Sequence, residues 1–349
     1  MNPAPRACIL SVSGLVLTPG EKALLADIQP WGVILMGRSC GTPDQVRALV
    51  ADIWNALQRP CLIFIDQEGG RVARLKAPAW PVFPAAGTFG AMYARDEAVA
   101  LEAVWLSHRL MGHELASISI HADCAPVLDL PVPGADDVIG DRAFADQPDA
   151  AIKLASAALT GLRDAGVAGV IKHMPGHGRA EVDTHKALPR VTASDADLTT
   201  RDLVPFMELA DAPMAMSAHI AYEAWDSAYP ATQSAKVISD IIRGRIGFQG
   251  ILMTDDLGMN ALGGSLADRT RAAHAAGCDI ALHCSGFVKD PDLILAEMRE
   301  VGEASPELAG IALSRAAEAE AASTHATEFD VEAGWARLRA LVPGLGAAA

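Results

Sequence analysis

The chain has 349 residues, and 28 Lys and Arg against 43 Asp and Glu leave it with a net charge of −15 and a pI near 5.0. Such an acidic chain is poorly matched to nucleic-acid phosphates or an anionic membrane, and neither is expected as a partner. With 51% hydrophobic residues, 20% charged residues and no long block of one sign, the composition excludes a disordered chain. It is ample for a substantial core.

The first 17 residues carry Arg6 as their one positive side chain, and their apolar run breaks at Ser13-Gly14. They are too short and irregular for a secretory signal. No stretch approaches the roughly 20 apolar residues that a membrane span needs. Cys8, Cys40, Cys61, Cys124, Cys278 and Cys284 form no CxxC pair and no dense framework. They read as buried thiols of a reducing cytosol, so a cytoplasmic location is expected.

Strand-length apolar runs recur at spacings too long for hairpins and suited to βα units. In chain order the predicted strands are 8–12, 32–36, 62–66, 125–129, 167–172, 213–217, 250–254 and 279–283. Between the second and third, Thr42-Pro43 caps a helix whose Val46, Leu49, Val50, Ile53 and Leu57 fall on one face. A second helix opens near Pro148, carries Ile152, Ala155, Leu159 and Leu162, and stops at Gly166, a C′ glycine. A third begins at Ser234 and exposes Arg243 and Arg245 around Ile238, Ile241 and Ile242. From about Asp290 onward, Ala- and Glu-rich helices close the outside, and the tail after Pro343 frays. Eight strands alternating with helices, with no repeat and no linker, predict one domain over 1–349, a single (β/α)₈ TIM-type barrel with extra C-terminal helices.

In such a barrel the carboxyl ends of the strands face the active site. Asp66, Asp129, Lys172, His173, Ser217, His219, Asp255, Asp256 and His283 all fall at or just past predicted strand ends. Individually, Asp129, Asp256 and His283 are equally well read as caps of the following helices; the whole set is not. After the fifth strand comes Lys172-His173-Met174-Pro175-Gly176-His177-Gly178, then Asp183-Thr184-His185. Asp183 and His185 are two apart, so in an extended loop the carboxylate is able to hold the imidazole, fix its tautomer and raise its pKa. The bland alternative is a surface Asp–His contact.

His121, His173, His177, His185 and His219 raise the question of a metal, yet His113-Glu114 opens a segment that just misses HExxH and no HxH pair closes a strand. No metal and no cofactor is expected. A Ser–His–Asp hydrolase finds no GxSxG elbow, and there is no phosphate-binding glycine motif.

Three segments carry a resemblance: Ile65-Asp66-Gln67-Glu68-Gly69-Gly70-Arg71-Val72-Ala73-Arg74; the Lys172–Gly178 run with Asp183-Thr184-His185; and Gly247-Phe248-Gln249-Gly250 leading through Thr254 to Asp255-Asp256-Leu257-Gly258-Met259. Nearly the whole chain, in this order, resembles glycoside hydrolase family 3, and within it the single-domain bacterial β-N-acetylglucosaminidases of cytoplasmic peptidoglycan recycling. The resemblance implies Asp255 as nucleophile and Asp183 orienting His185 as acid/base. It implies Asp66, Arg74, Arg142, Lys172 and His173 as the residues that hold the N-acetylglucosamine ring. Three positions depart from the family pattern: Met174 for Phe, Arg179 for Asp and Thr184 for Ser. None removes a catalytic group, and Arg179 brings a positive charge near the dyad.

The activity this resemblance implies is that of a retaining exo-β-N-acetylglucosaminidase acting on a small muropeptide or disaccharide such as N-acetylglucosaminyl-1,6-anhydro-N-acetylmuramic acid, through a glycosyl-enzyme. Gly176 and Gly178 supply the hinge of a mobile catalytic loop. The 17 Phe, Trp and Tyr residues favour a small pocket over an open, stacking groove, and the expected state is a monomer. The alternatives are a metal-dependent barrel hydrolase using the histidines and a family 3 β-glucosidase, the latter usually carrying a second domain.

Overall fold

The strands form where apolar residues are buried on both faces, as parallel strands between barrel interior and helices must be. In the computed structural model, which describes residues 4–184, 187–286, 288–323 and 326–345, they are β1 (Arg6–Ser11), β2 (Pro30–Leu35), β3 (Leu62–Ile65), β4 (Ala122–Asp123), β5 (Ala168–Met174), β6 (Met214–Ser217), β7 (Ile251–Thr254) and β8 (Ala281–Leu282). All pair in parallel, in the order β7-β6-β5-β4-β3-β2-β1-β8. A parallel bridge between Met253 and Ile280 closes the ring, reinforced by the Leu282 N–H donating to Thr254 Oγ1 at 2.9 Å. This is the predicted (β/α)₈ barrel.

Seven of the predicted strands coincide with observed ones to within a few residues. The fourth does not: β4 is Ala122–Asp123, not 125–129. Residues beyond it still run beside β5, with Val170 N–H on the Ala125 carbonyl and Leu128 N–H on that of Lys172. Pro126 has no N–H to give, which breaks the ladder there. Asp129 therefore sits on an extended arm and does not end a strand.

The outer layer is α1 (Pro19–Ile28), α2 (Pro43–Leu57), α3 (Glu97–Ser117), α4 (Pro148–Asp164), the short α5 (Val204–Glu208), a wide-turn helix α6 (Val237–Arg245), α7 (Leu266–Ala276) and α8 (Pro291–Ala304). Helix α2 opens on its Thr42 cap and buries the five predicted residues. Helix α4 ends at Gly166 with φ of 81°, but its buried face is Leu154, Ala155, Ala158 and Leu162, with Ile152 and Leu159 only partly covered. Arg243 of α6 is not exposed as predicted. Its guanidinium pairs with Asp279 at 2.7 Å, while Arg245 remains outward.

Two further helices, α9 (Gly310–Ala321) and α10 (Val331–Leu341), correct the expectation that the C-terminal region covers only the outside. Ala316 and Ala319 of α9, with Leu308, join the barrel-interior cluster of Ile9, Ile34, Phe64, Met216 and Met253. Trp31 Nε1 donates to Glu320 Oε1 at 2.7 Å, so α9 closes the mouth at the amino ends of the strands. Helix α10 lies on α3, where Arg337 forks onto Glu102. With that end sealed, the opposite mouth is left for chemistry. Among the described residues no helix is long and apolar enough to cross a membrane.

Candidate active site

Beyond β3 the chain turns back as a small hairpin, Gln67–Gly69 against Val72–Ala73. Side-chain alternation sends Asp66, Glu68, Val72 and Arg74 toward the barrel axis. They line a cavity of about 280 Å³ at the carboxyl mouth together with Arg142, Lys172, His173, His177, Thr184, Asp255, Asp256 and the apolar Met36, Val138, Met216 and Met259. No Phe, Trp or Tyr lies among these lining residues, in keeping with a pocket and not a stacking groove.

One wall is a chain of alternating charges. Arg74 Nη2 meets Asp66 Oδ2 at 2.8 Å, Asp66 Oδ1 meets Lys172 Nζ at 3.1 Å, and Lys172 Nζ meets Glu68 Oε1 at 2.6 Å. Arg142 grips Glu68 with Nε and Nη2, both at 2.8 Å, a bidentate arrangement that fixes both planes. Burial alone would raise the Glu68 carboxyl, but Arg142 and Lys172 hold it down at about 2. Asp66 is depressed in the same way, burial being outweighed by Lys172 and Arg74. Lys172, 2% exposed, stays charged because Glu68 and Asp66 overcome the cost of burying it. The wall thus offers fixed donors and acceptors to a neutral, hydroxyl-rich ligand. Glu68 was not among the predicted site residues, although its place two residues after Asp66, on the same face of an extended segment, is the signal that finds it.

The opposite wall carries Asp255. Its Oδ1 accepts the Asp256 N–H at 2.8 Å, and its Oδ2 lies 4.0 Å from His173 Nε2. His173 Nδ1 is 2.7 Å from Asp129 Oδ2. Asp129 Oδ1 also accepts the backbone N–H groups of His173 and His177, one in β5 and one in the loop after it, so Asp129 does not cap a following helix but braces the segment that carries His173. Burial opposes the Asp255 anion, but His173 ahead of its other neighbours keeps the carboxyl below its ordinary value. Asp256, in contrast, is tied up: its Oδ1 accepts from Gly258 N–H at 2.9 Å and Cys284 N–H at 3.0 Å. His283 points away into a buried contact with Ser285 and Glu297.

Of the predicted catalytic residues, Asp255 is in the cavity and Asp183 lies on the loop beside it. His185 falls outside the described residues. Thr184, between the two, is 2% exposed and lines the cavity. Gly176 and Gly178, the predicted hinge, each make a close contact. The Tyr222 hydroxyl donates to the Gly176 carbonyl at 2.6 Å, and a Cβ on Gly178 would run into the Leu130 carbonyl oxygen, so only glycine fits that approach. Arg179 is not a free charge, since its Nε lies 2.9 and 3.0 Å from the two oxygens of Asp202. Among the described residues no three His, Cys, Asp or Glu side chains group as a metal-binding set.

Residues 12–315 match the glycosyl hydrolase family 3 N-terminal domain. The chain belongs to glycoside hydrolase family 3. A β-hexosaminidase of Alkalilimnicola ehrlichii is 42% identical over 306 residues, 85% of each chain, and one of Bordetella avium is 37% identical over 80% of this chain and 81% of its own. Among solved structures, NagZ from Neisseria gonorrhoeae in complex with N-trifluoroacetyl-D-glucosamine superposes with a TM-score of 0.85 at 31% identity, covering 99% of both chains. A family 3 β-N-acetylglucosaminidase from Paenibacillus sp. gives 0.83 at 28% identity, covering 96% of this chain and 66% of that one. This family 3 member is a glycoside hydrolase.

Proposed function

We propose that this family 3 enzyme is a retaining exo-β-N-acetylglucosaminidase that removes the terminal non-reducing N-acetylglucosamine from small peptidoglycan fragments in cell-wall recycling. The observation that carries the reading is the pairing, across one small closed-ended cavity, of an ionised Asp255 with the Arg74–Asp66–Lys172–Glu68–Arg142 wall. A pocket with fixed donors and acceptors on one side and a carboxylate on the other takes a single terminal sugar with its anomeric carbon toward that carboxylate. The β-hexosaminidase names of the relatives and the N-acylated glucosamine bound by the Neisseria structure favour N-acetylglucosamine over glucose as that sugar.

In this reading Asp66, Arg74, Arg142, Lys172 and His173 bind the ring. An Asp255 oxygen attacks C1 as the C1–oxygen bond to the leaving group breaks, and His185, oriented by Asp183, gives its proton to the departing oxygen. The same imidazole then takes a proton from water, whose oxygen displaces Asp255 from C1, so two inversions return the β anomer. The buried position of Thr184 on the cavity wall supports the dyad, since it roots that loop at the site. Hydrolysis of an aryl β-N-acetylglucosaminide beside the matching aryl β-glucoside tests the proposal. A strong preference for the first is expected, and equal or reversed rates would favour the β-glucosidase reading. Activity on N-acetylglucosaminyl-1,6-anhydro-N-acetylmuramic acid, with and without peptide, then tests the recycling substrate.

A further inference from the structure

His219 is fully buried, two residues past β6 and behind the catalytic carboxylate, and the chemistry above leaves it without a task. Its Nε2 lies 3.0 Å from the carbonyl oxygen of Asp256. A carbonyl only accepts, so Nε2 carries a hydrogen. Its Nδ1 lies 2.8 Å from Thr232 Oγ1, which is itself 2.8 Å from Ser217 Oγ. Burial keeps the ring below its ordinary pKa, against the pull of Asp255. In the neutral ring Nδ1 then holds a lone pair toward the Thr232 hydroxyl, whose one hydrogen is shared between that nitrogen and the Ala218 carbonyl at 3.0 Å, while Nε2–H donates to the Asp256 carbonyl.

That carbonyl belongs to the residue whose N–H is bonded to Asp255 Oδ1. Asp256 is held at its side chain by Gly258 and Cys284 and at its carbonyl by the Met259 N–H at 3.1 Å and His219 at 3.0 Å, and it holds the neighbouring carboxylate by its N–H. Oδ1 of Asp255 is thereby engaged, and Oδ2 is the oxygen 4.0 Å from His173 Nε2.

Resting on the reading of Asp255 as nucleophile, we propose that His219 is a positioning residue that, by anchoring the Asp256 backbone whose N–H binds Asp255 Oδ1, fixes the Asp255 rotamer so that Oδ2 is the attacking oxygen. Attack from the oxygen without the N–H bond keeps the stronger nucleophile in line, and the bonded oxygen stays stabilised as the ester forms and breaks.

The test compares His219→Leu, His219→Gln and Thr232→Val in the full chain, with thermal unfolding as a folding check. Gln can place an amide N–H near the Nε2 position; Leu cannot. Misplacing the carboxylate should lower kcat of His219→Leu by about 100-fold while leaving the Kd for N-acetylglucosamine within about twofold, and His219→Gln should recover about tenfold of that loss. Thr232→Val, which removes the hydroxyl beside Nδ1, should fall between them. Should His219→Leu fail to fold, the Gln and Val variants carry the same test. Unchanged kcat in Leu and Val, or a Kd that weakens in step with kcat, overturns the proposal. Trapping wild-type enzyme with a 5-fluoro glycosyl substrate separates the two levels. A label on Asp255 with unaffected variants overturns only the role of His219, whereas a label elsewhere overturns the nucleophile assignment as well.

Discussion

The carboxylate of Asp129 holds His173, with His173 Nδ1 at 2.7 Å from Asp129 Oδ2 and both groups almost wholly buried. A carboxylate acceptor on Nδ1 places that hydrogen and turns Nε2 toward Asp255, 4.0 Å away at the cavity. Asp129 is not among the cavity-lining residues, so it acts through the imidazole.

Asp129→Asn keeps the shape but offers the ring an amide in place of an anion. Loss of the ring's orientation should lower kcat/KM for an aryl β-N-acetylglucosaminide by about 100-fold, with little change in thermal midpoint. A variant with the wild-type rate would show that His173 is oriented by packing alone.

The acid role of His185 is tested by the leaving group. Dinitrophenolate departs with little protonation, whereas an alkyl or sugar alkoxide does not. His185→Ala should therefore depress kcat/KM far more for an alkyl or sugar aglycone than for the dinitrophenyl one, and Asp183→Ala should repeat the pattern more weakly. Equal losses for both leaving groups would refute the assignment. Rescue of the dinitrophenyl reaction by azide would strengthen it.

Lys172 bridges two buried carboxylates, and its removal leaves Asp66 and Glu68 facing each other without a shared cation. Lys172→Met should cost about 1–3 kcal/mol in urea unfolding, because two charged hydrogen bonds are lost while Arg74 and Arg142 stay on the two carboxylates. Lys172→Met combined with Glu68→Gln should recover part of that loss. If the single variant is as stable as the parent, the network is solvated in solution.

His108 supplies a pH test away from the site. It lies within α3, donates from Nδ1 to the Val104 carbonyl, and burial lowers it from 6.5 to about 4 despite that bond. Between those values the unfolded chain binds the proton and the folded one does not, so stability falls as pH drops from 6.5 toward 4. His177, lowered over the same range by burial and by His173, adds to the fall. The depressed carboxyl of Glu68 contributes stability above about 4.5 that is lost at lower pH, toward 2. In His108→Leu the thermal midpoint should decline less steeply between pH 6.5 and 4, with activity at pH 7 retained. An unchanged slope would place the charge in solvent.

Sequence by itself determined the barrel and the residues at its mouth, because both are local. A strand buried on two faces is a short apolar run whatever it pairs with, and an ionisable group directly after such a run has the strand end as its address. Seven strands, Asp66, Lys172, His173 and Asp255 were legible for that reason. The fourth strand was misplaced because an apolar run containing Pro126 looks like a strand, while the ladder also needs the N–H that proline lacks. Tertiary structure alone decided which charges meet. Lys172 reaches Asp66 across 106 positions and Arg142 reaches Glu68 across 74, and no periodicity encodes a partner at such separations. It likewise decided that Asp256, though it also lines the cavity, is bound to Gly258 and Cys284 while Asp255 Oδ2 lies near His173, that Asp202 takes the charge of Arg179, and that α9 plugs the barrel. Each is settled by which backbone and side-chain groups the closed ring brings within about 3 Å, the distance at which a hydrogen bond is made.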